Sequence, residues 1–457
     1  MTEKYHRKRK ELSMEKSWPN LTWKEKREER FKRWLSPQNI KFVSPETETL
    51  YKQRVTRFIK AIEIEESDRV PVILPTGNFP AYYAGSDLHT IMYDYGEMRR
   101  AWLKFMNDFG DMDAFNPTLA PSGRINEALN SKVSVWPGHG LPLNASMNQT
   151  VEGEYMKANE YDLMKMDPSD YNFRVNLPRT TGLFKSFEKL PPLRTLQGAG
   201  WVAAFANPEI RQTFQTLIDL AEEHKRYQTV VQEIGEIALS RGYPSTRGRG
   251  PILGAPFDHF ADLLRGTHGI AMDMNRQPQK LHEAMENYLN LTINTSIKDF
   301  PMTNCPICMM PLHKGDDTFM SNKQFETFYW PYLRRVFMAM INEGLVPMPF
   351  AEGRYTKRLK QITDTPKSSV VWWFDQTDMA EAKRILGNVS CIVGNVPTSI
   401  LITCTPQQVK ENCRNLIENC AGGGGYILAG GASIDKGNIE NLRAMMEAAY
   451  EYGVYNK

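Results

Sequence analysis

The stretch Gly422–Gly453, GGGGYILAGGASIDKGNIENLRAMMEAAYEYG, reads as one complete strand-then-helix unit. Tyr426–Ala429 is a short, wholly apolar run, as expected of a strand buried on both faces of a parallel sheet. Asn438 is placed to cap the helix that follows. Leu442, Met445, Met446 and Ala449 fall on one face of that helix, and Gly453 lies just past its end. The glycines Gly422–Gly425 invite a phosphate-cradle reading. A phosphate loop follows a strand and opens a helix, whereas these precede a strand, so a tight turn from helix into strand is the better reading.

Outward from this unit the same alternation recurs. Apolar runs at Val70–Leu74, Met112–Asn116, Pro251–Ala255, Pro306–Met310, Val346–Phe350, Val370–Phe374 and Cys391–Asn395 bring the count of expected strands to eight. Thr405-Pro406-Gln407-Gln408 is a capping box with proline at the first helical position. Phe325, Phe328, Tyr329, Tyr332, Leu333, Val336, Phe337 and Met340 recur at helical spacing and predict an amphipathic helix. Eight strands with intervening helices predict an α/β fold of the (β/α)₈ barrel type. No G-x-G-x-x-G follows the first strand, which weighs against a dinucleotide-binding sheet. Residues 1–67 are expected as an N-terminal helical extension and 68–457 as the barrel. Within it, 118–250 is expected as a long insertion after the second strand, covering the mouth and containing a long helix from Pro208 to Ser240.

Composition narrows the function classes. The 457 residues carry a net charge of only +3, which points to no nucleic acid or other charged partner. Basic residues cluster at Arg7–Lys10 and from Lys24 to Arg33, interleaved with glutamates as in a solvated or docking helix. No run approaches the roughly 18 apolar residues of a membrane span, and no secretory signal is present, so no membrane partner and a cytoplasmic location are expected. Six cysteines in so long a chain indicate free thiols in a reducing compartment. The pair Cys305-x-x-Cys308 has no partner pair and carries little weight as a zinc or redox motif.

In a barrel, reactive groups gather at the C-terminal ends of strands. That rule selects Asp113 on the second strand, Asp258, His259 and Asp262 after the third, and His313, Asp316 and Asp317 after the fourth. Glu352 and Arg354 follow the fifth, Asp375 ends the sixth, Asn395 ends the seventh, and Ser433 and Asp435 follow the eighth. Each has a plainer reading. Asp375 precedes Thr377, a candidate helix cap; Glu352 and Arg354 suit a rim salt bridge; His259, between Phe257 and Phe260, suits packing. His89 and His139 sit in turn-like segments.

The segment from Gln407 to Gly453 closely resembles the C-terminal end of uroporphyrinogen decarboxylase superfamily barrels. DRVPV at Asp68–Val72, PILGAPFDHFADLLRG at Pro251–Gly266, FYWPYLRRVF at Phe328–Phe337 and GNV at Gly394–Val396 are similar to other pieces of that family. The resemblance covers Asp68–Asn116 and Pro251–Gly453, and it implies a (β/α)₈ barrel. True decarboxylases of the family carry an arginine-rich segment after strand one; here Pro75 to Tyr82 holds no arginine, though Asn78 and Tyr82 remain as substrate-binding candidates. The family's strand-three tyrosine falls at Asp262 and its strand-eight histidine at Ala432, leaving Asp113 as the matching aspartate. The zinc ligands of its methylcobamide methyltransferases fall at Phe350, Glu352 and Ala432.

The resemblance therefore implies a methyltransferase moving a methyl group between a small, for example methoxylated, substrate and the cobalt of a separate corrinoid protein. Asp113, Glu352, Asp375 and Arg354 are the expected catalytic groups, with His259, Asp258, Asn395, Asn78 and Tyr82 binding substrate. If a metal such as zinc is held, Glu352 and His259 are its expected ligands. The chain lacks an Asp-x-His-x-x-Gly corrinoid motif, since Asp87-x-His89 is not followed by the required glycine, so cobalamin is expected on a partner. A homodimer is compatible with this reading. Two alternatives stand beside it: a lyase or decarboxylase acting on a smaller carboxylic acid through Asp113 and Arg354, and a non-catalytic binder of tetrapyrrole or corrinoid.

Overall fold

Six parallel strands curl round one interior in the order β1-β9-β8-β7-β6-β5, so the last strand of the chain lies beside the first. They are β1 (Val72–Ile73), β5 (Ile307–Leu312), β6 (Val346–Ala351), β7 (Val371–Phe374), β8 (Cys391–Val393) and β9 (Tyr426–Ala429). Strands β2 (Ser134–Pro137), β3 (Gly140–Leu141) and β4 (Gln149–Thr150) form a separate small sheet. The computed structural model describes residues 17–455 except 249, 252 and 253. The basic cluster Arg7–Lys10 lies outside the described residues. Among the described residues no helix is long and apolar enough to cross a membrane.

Two chain segments close the curl between β1 and β5 without forming ladders among the described residues. Residues 112–118 lie beside β1, where Val72 N donates to Asp113 and Thr118 Oγ1 donates to the Thr76 carbonyl. Phe115 N donates to the Pro244 carbonyl, and Gly248 bridges Cys308 on β5. The second expected strand, Met112–Asn116, is thus an extended segment held by isolated bonds. The chain meets β5 at Gly248, before the expected third strand Pro251–Ala255, of which Ile252 and Leu253 lie outside the described residues. A side-chain clasp replaces the missing ladder: Asn116 Oδ1 accepts from Thr246 N and Ser245 Oγ, while its Nδ2 donates to Thr246 Oγ1.

Alternate residues of the strands point inward. Ile73, Ala114, Ile307, Val346, Met348, Val371, Trp373, Val393, Ile427 and Ala429 form one buried cluster, with Met309 and Phe350 partly buried against it. Phe31, Trp34, Tyr51, Val55, Phe58 and Ile62 belong to the same cluster. They come from the helices Trp23–Leu35 and Pro45–Ile62, each opened by a capping box. The N-terminal helices therefore dock against the barrel interior and are not merely solvated. Arg30 is fully buried and donates to the carbonyls of Phe300, Pro301 and Glu343.

The helical readings hold. Thr405 and Gln408 form the expected box on Pro406–Cys420, and Asn438 caps Ile439–Tyr452, which ends at Gly453. All eight apolar positions from Phe325 to Met340 are buried, although Phe325–Tyr329 widens into a π-turn before the α-helix Trp330–Asn342. Gly423, Gly424 and Gly425 have positive φ, and a Cβ on Gly424 would lie 2.4 Å from the Glu65 carbonyl carbon. The four glycines are a turn into β9, as their order predicts, with Gly424 packed on backbone.

Candidate active site

A π-turn after the third barrel segment and the loops leaving β5 and β6 place three titratable side chains in a row at the mouth. Asp262, in the π-turn Ala261–Arg265, lies 2.5 Å from His313 Nδ1, and His313 Nε2 lies 3.8 Å from Glu352. The hydrogen bond that His313 Nδ1 donates to Asp262, ahead of the opposing effect of burial, raises the His313 pKa to about 9, so the imidazole is a cation at neutral pH. Burial raises the Glu352 pKa, against the pull of His313, and Asp375 pushes it the same way. The Asp375 carboxyl is likewise raised by burial, and its Oδ2 accepts from Gly353 N at 3.0 Å. Lys314 adds a second cation, 3.6 Å from Asp262 and 2.8 Å from Thr267 Oγ1.

Asp258 supports this row from beneath. It is buried and accepts from His313 N, Lys314 N and the Tyr329 hydroxyl at 3.0, 3.1 and 2.7 Å. Burial pushes its pKa up to about 6 despite those bonds. It fixes the loop that carries His313 and does not face the opening. Asn395 also works on backbone: its Nδ2 donates to the carbonyls of Asp375 and Thr377. Asp375 and Asn395 line a cavity of about 430 Å³ with Gln376, Thr398, Ser399 and Asn412, whose buried Oδ1 has no donor among the described residues. On the other side of the mouth, Asn78 N donates to Asp435, Asn78 Nδ2 to the Ser146 carbonyl and the Tyr82 hydroxyl to the Ala145 carbonyl. These bonds tie the loop 142–148 to the end of β1.

Several expected roles do not survive this geometry. Asp113 lies at the opposite, N-terminal end of β1. It is fully buried, paired with Arg57 and Arg69 and bonded to Val72 N, which makes it a structural anion. Arg354 is exposed on the rim and pairs with no carboxylate among the described residues, so no Glu352–Arg354 bridge forms. His259 stacks on Tyr288 at 4.2 Å beside an outer cleft, and burial lowers its pKa to about 4. No contact joins it to Glu352 among the described residues; the imidazole beside Glu352 is that of His313. Thr377 does not cap a helix: Asp378 caps Met379–Leu386, and Thr377 Oγ1 accepts from Tyr355 N.

The expected zinc ligands fare similarly. Among the described residues no three His, Cys, Asp or Glu side chains converge as a metal site. His313 spends Nδ1 on Asp262, and Cys305, Cys308, Cys391, Cys413 and Cys420 are buried. The donor set at the mouth does not fit a thiol-activating zinc. His313 stood on the strand-end list, but its place between Asp262 and Glu352 joins three loops and leaves no mark in local sequence. His89 and His139 are packed against Tyr93 and Trp136.

Fold and mouth together define a protein of the parallel α/β-barrel class, with a row of titratable side chains at the mouth. The uroporphyrinogen decarboxylase (URO-D) family model matches residues 207–452, more than half of the chain, and the chain belongs to that family. The match begins inside the stretch expected as an insertion and leaves out Asp68–Asn116. A methyltransferase from Methanosarcina mazei shares the fold, with TM-score 0.55 at 15% identity over 88% of this chain and 98% of that one. The chain matches no curated protein sequence.

Proposed function

We propose that this chain is a methyltransferase that takes a methyl group from an ether oxygen of a small substrate and passes it to the cobalt of a corrinoid carried by a separate protein. The observation that carries the reading is the row Asp262–His313–Glu352, which holds a proton at the mouth at neutral pH. Cleaving a methyl ether leaves an alkoxide or phenoxide, a poor leaving group unless it is protonated as the bond breaks. His313 Nε2 is the atom that delivers that proton. Asp262 holds the ring in position and keeps it charged until delivery, and Glu352 receives and returns protons between turnovers.

The docked corrinoid supplies the cobalt that accepts the methyl group. The cavity beside Asp375 supports such docking: its wall of amide and hydroxyl side chains, with the undonated Asn412 Oδ1, suits the peripheral carboxamides of a corrin. The lyase alternative loses its basis, because Asp113 and Arg354 do not meet at one site.

The test is methylation of free cob(I)alamin by methoxyarenes, followed by visible absorbance. Wild type should convert it, and His313→Gln should do so about 10²–10⁴-fold more slowly. No conversion by wild type with any methoxyarene, or full activity in His313→Gln, overturns the reading.

A further inference from the structure

Arg247 sits where the second and third segments of the barrel meet. Its backbone is pinned: Ser245 Oγ accepts from Arg247 N, and Asn116 clasps Thr246 next door. The side chain leans over the Trp373 ring, 5.4 Å from its centroid, and Nη1 donates to Thr118 Oγ1 at 3.3 Å. Thr118 in turn donates to the carbonyl of Thr76, just past the C-terminal end of β1, so the guanidinium lies at the mouth end of the barrel. Trp373 itself is fixed by its Nε1 bond to the Gly430 carbonyl and by edge contact with Phe350.

What the guanidinium lacks is an anion. Among the described residues no carboxylate pairs with Arg247, its Nε is buried without an acceptor, and its one side-chain bond goes to a neutral hydroxyl. Other buried arginines among the described residues meet a carboxylate or several carbonyls: Arg69 meets Asp113, Arg265 Asp273, Arg27 Glu63 (although its Nε too lacks an acceptor), and Arg30 three carbonyls. Burying a charge without a partner costs stability, and burial alone lowers the Arg247 pKa. A planar donor fork with no acceptor on its Nε, held over an indole, suits a planar monoanion attached to a flat ring.

We propose that Arg247, oriented by Thr118, is a substrate-binding residue that grips a carboxylate, with the Trp373–Phe350 wall taking the attached aromatic ring. This names the substrate class of the site proposed above, an aromatic carboxylate, and rests on that reading only in taking the mouth as the site. One guanidinium neutralises one carboxylate, whereas a phosphate dianion would need a second cation at the same place.

The test uses full-length protein, isothermal titration and three probes: benzoate, benzamide and inorganic phosphate. Wild type should bind benzoate saturably and more tightly than either benzamide or phosphate. Arg247→Met should bind benzoate about ten- to a hundredfold more weakly, and Arg247→Lys should fall between. Arg247→Met should also melt at or above the wild-type temperature, because it removes an unpaired charge. Equal binding of benzoate and benzamide, tighter binding of phosphate, undiminished binding in Arg247→Met, or no binding of benzoate by wild type each overturns the assignment. So does a marked fall in the melting temperature of Arg247→Met, which would make the guanidinium a structural tie. Binding is read without corrinoid, so a chain that binds benzoate yet methylates no cobalamin keeps this inference and loses the previous one.

Discussion

At the scale of single residues, neighbours decide what each candidate can do. His313 holds its proton to about pH 9 because the Asp262 hydrogen bond stabilises the imidazolium more than burial opposes it. A raised pKa means that this pairing contributes its full stability below the ordinary imidazole value near 6.5 and loses it as pH rises through about 9. The His313 side chain is 39% exposed, so solvent screens the effect to at most about 1 kcal/mol. Asp262→Asn should return the His313 titration to near 6.5, as read by NMR of the ring protons. In that variant the loss of stability between pH 6.5 and 9 should vanish. A His313 pKa still near 9 would mean that Asp262 is not its cause. Asp262 appeared among the strand-end residues, and so did His313, but nothing in the chain marks them as a pair. They are 51 positions apart and meet only because two barrel loops converge.

At the scale of elements, short-range chemistry was readable and long-range bonding was not. Capping boxes, the helix at Phe325–Met340 and the glycine turn depend on residues within one or two turns of each other, and they appear where expected. The second and third barrel segments depend on partners far along the chain and follow no apolar run closely. Asp113 shows the difference. Strand-end logic treated it as a reactive carboxylate, but it ties the helix Pro45–Ile62, through Arg57, to the start of β1, through Arg69 and Val72 N. Asp113→Ala strands a buried Arg69 and should cost about 3–5 kcal/mol in urea unfolding, while the fraction that remains folded keeps its activity. A fall in activity per folded molecule would return Asp113 to the site.

At the scale of the whole molecule, the N-terminal helices are part of the barrel core. Trp34 is fully buried in the cluster that holds Ile307, Val346, Val371 and Ile427. Trp34→Ala should therefore destabilise the protein by about 3–5 kcal/mol, as a large cavity in a barrel core does, and should show in the denaturant midpoint. A change below about 1 kcal/mol would mean that the helices fold apart from the barrel. By itself, the sequence determined the barrel class, the six ladder strands from β1 to β9 and the long helices at Pro208–Ser240, Trp330–Asn342, Pro406–Cys420 and Ile439–Tyr452, because hydrophobic period and capping are local. The tertiary structure alone decided which end of the barrel each charge occupies, that His313 rather than His259 stands beside Glu352, and that Arg247 is left without an anion. Those facts depend on distances between residues far apart in the chain, and only strand tilt and loop convergence set such distances.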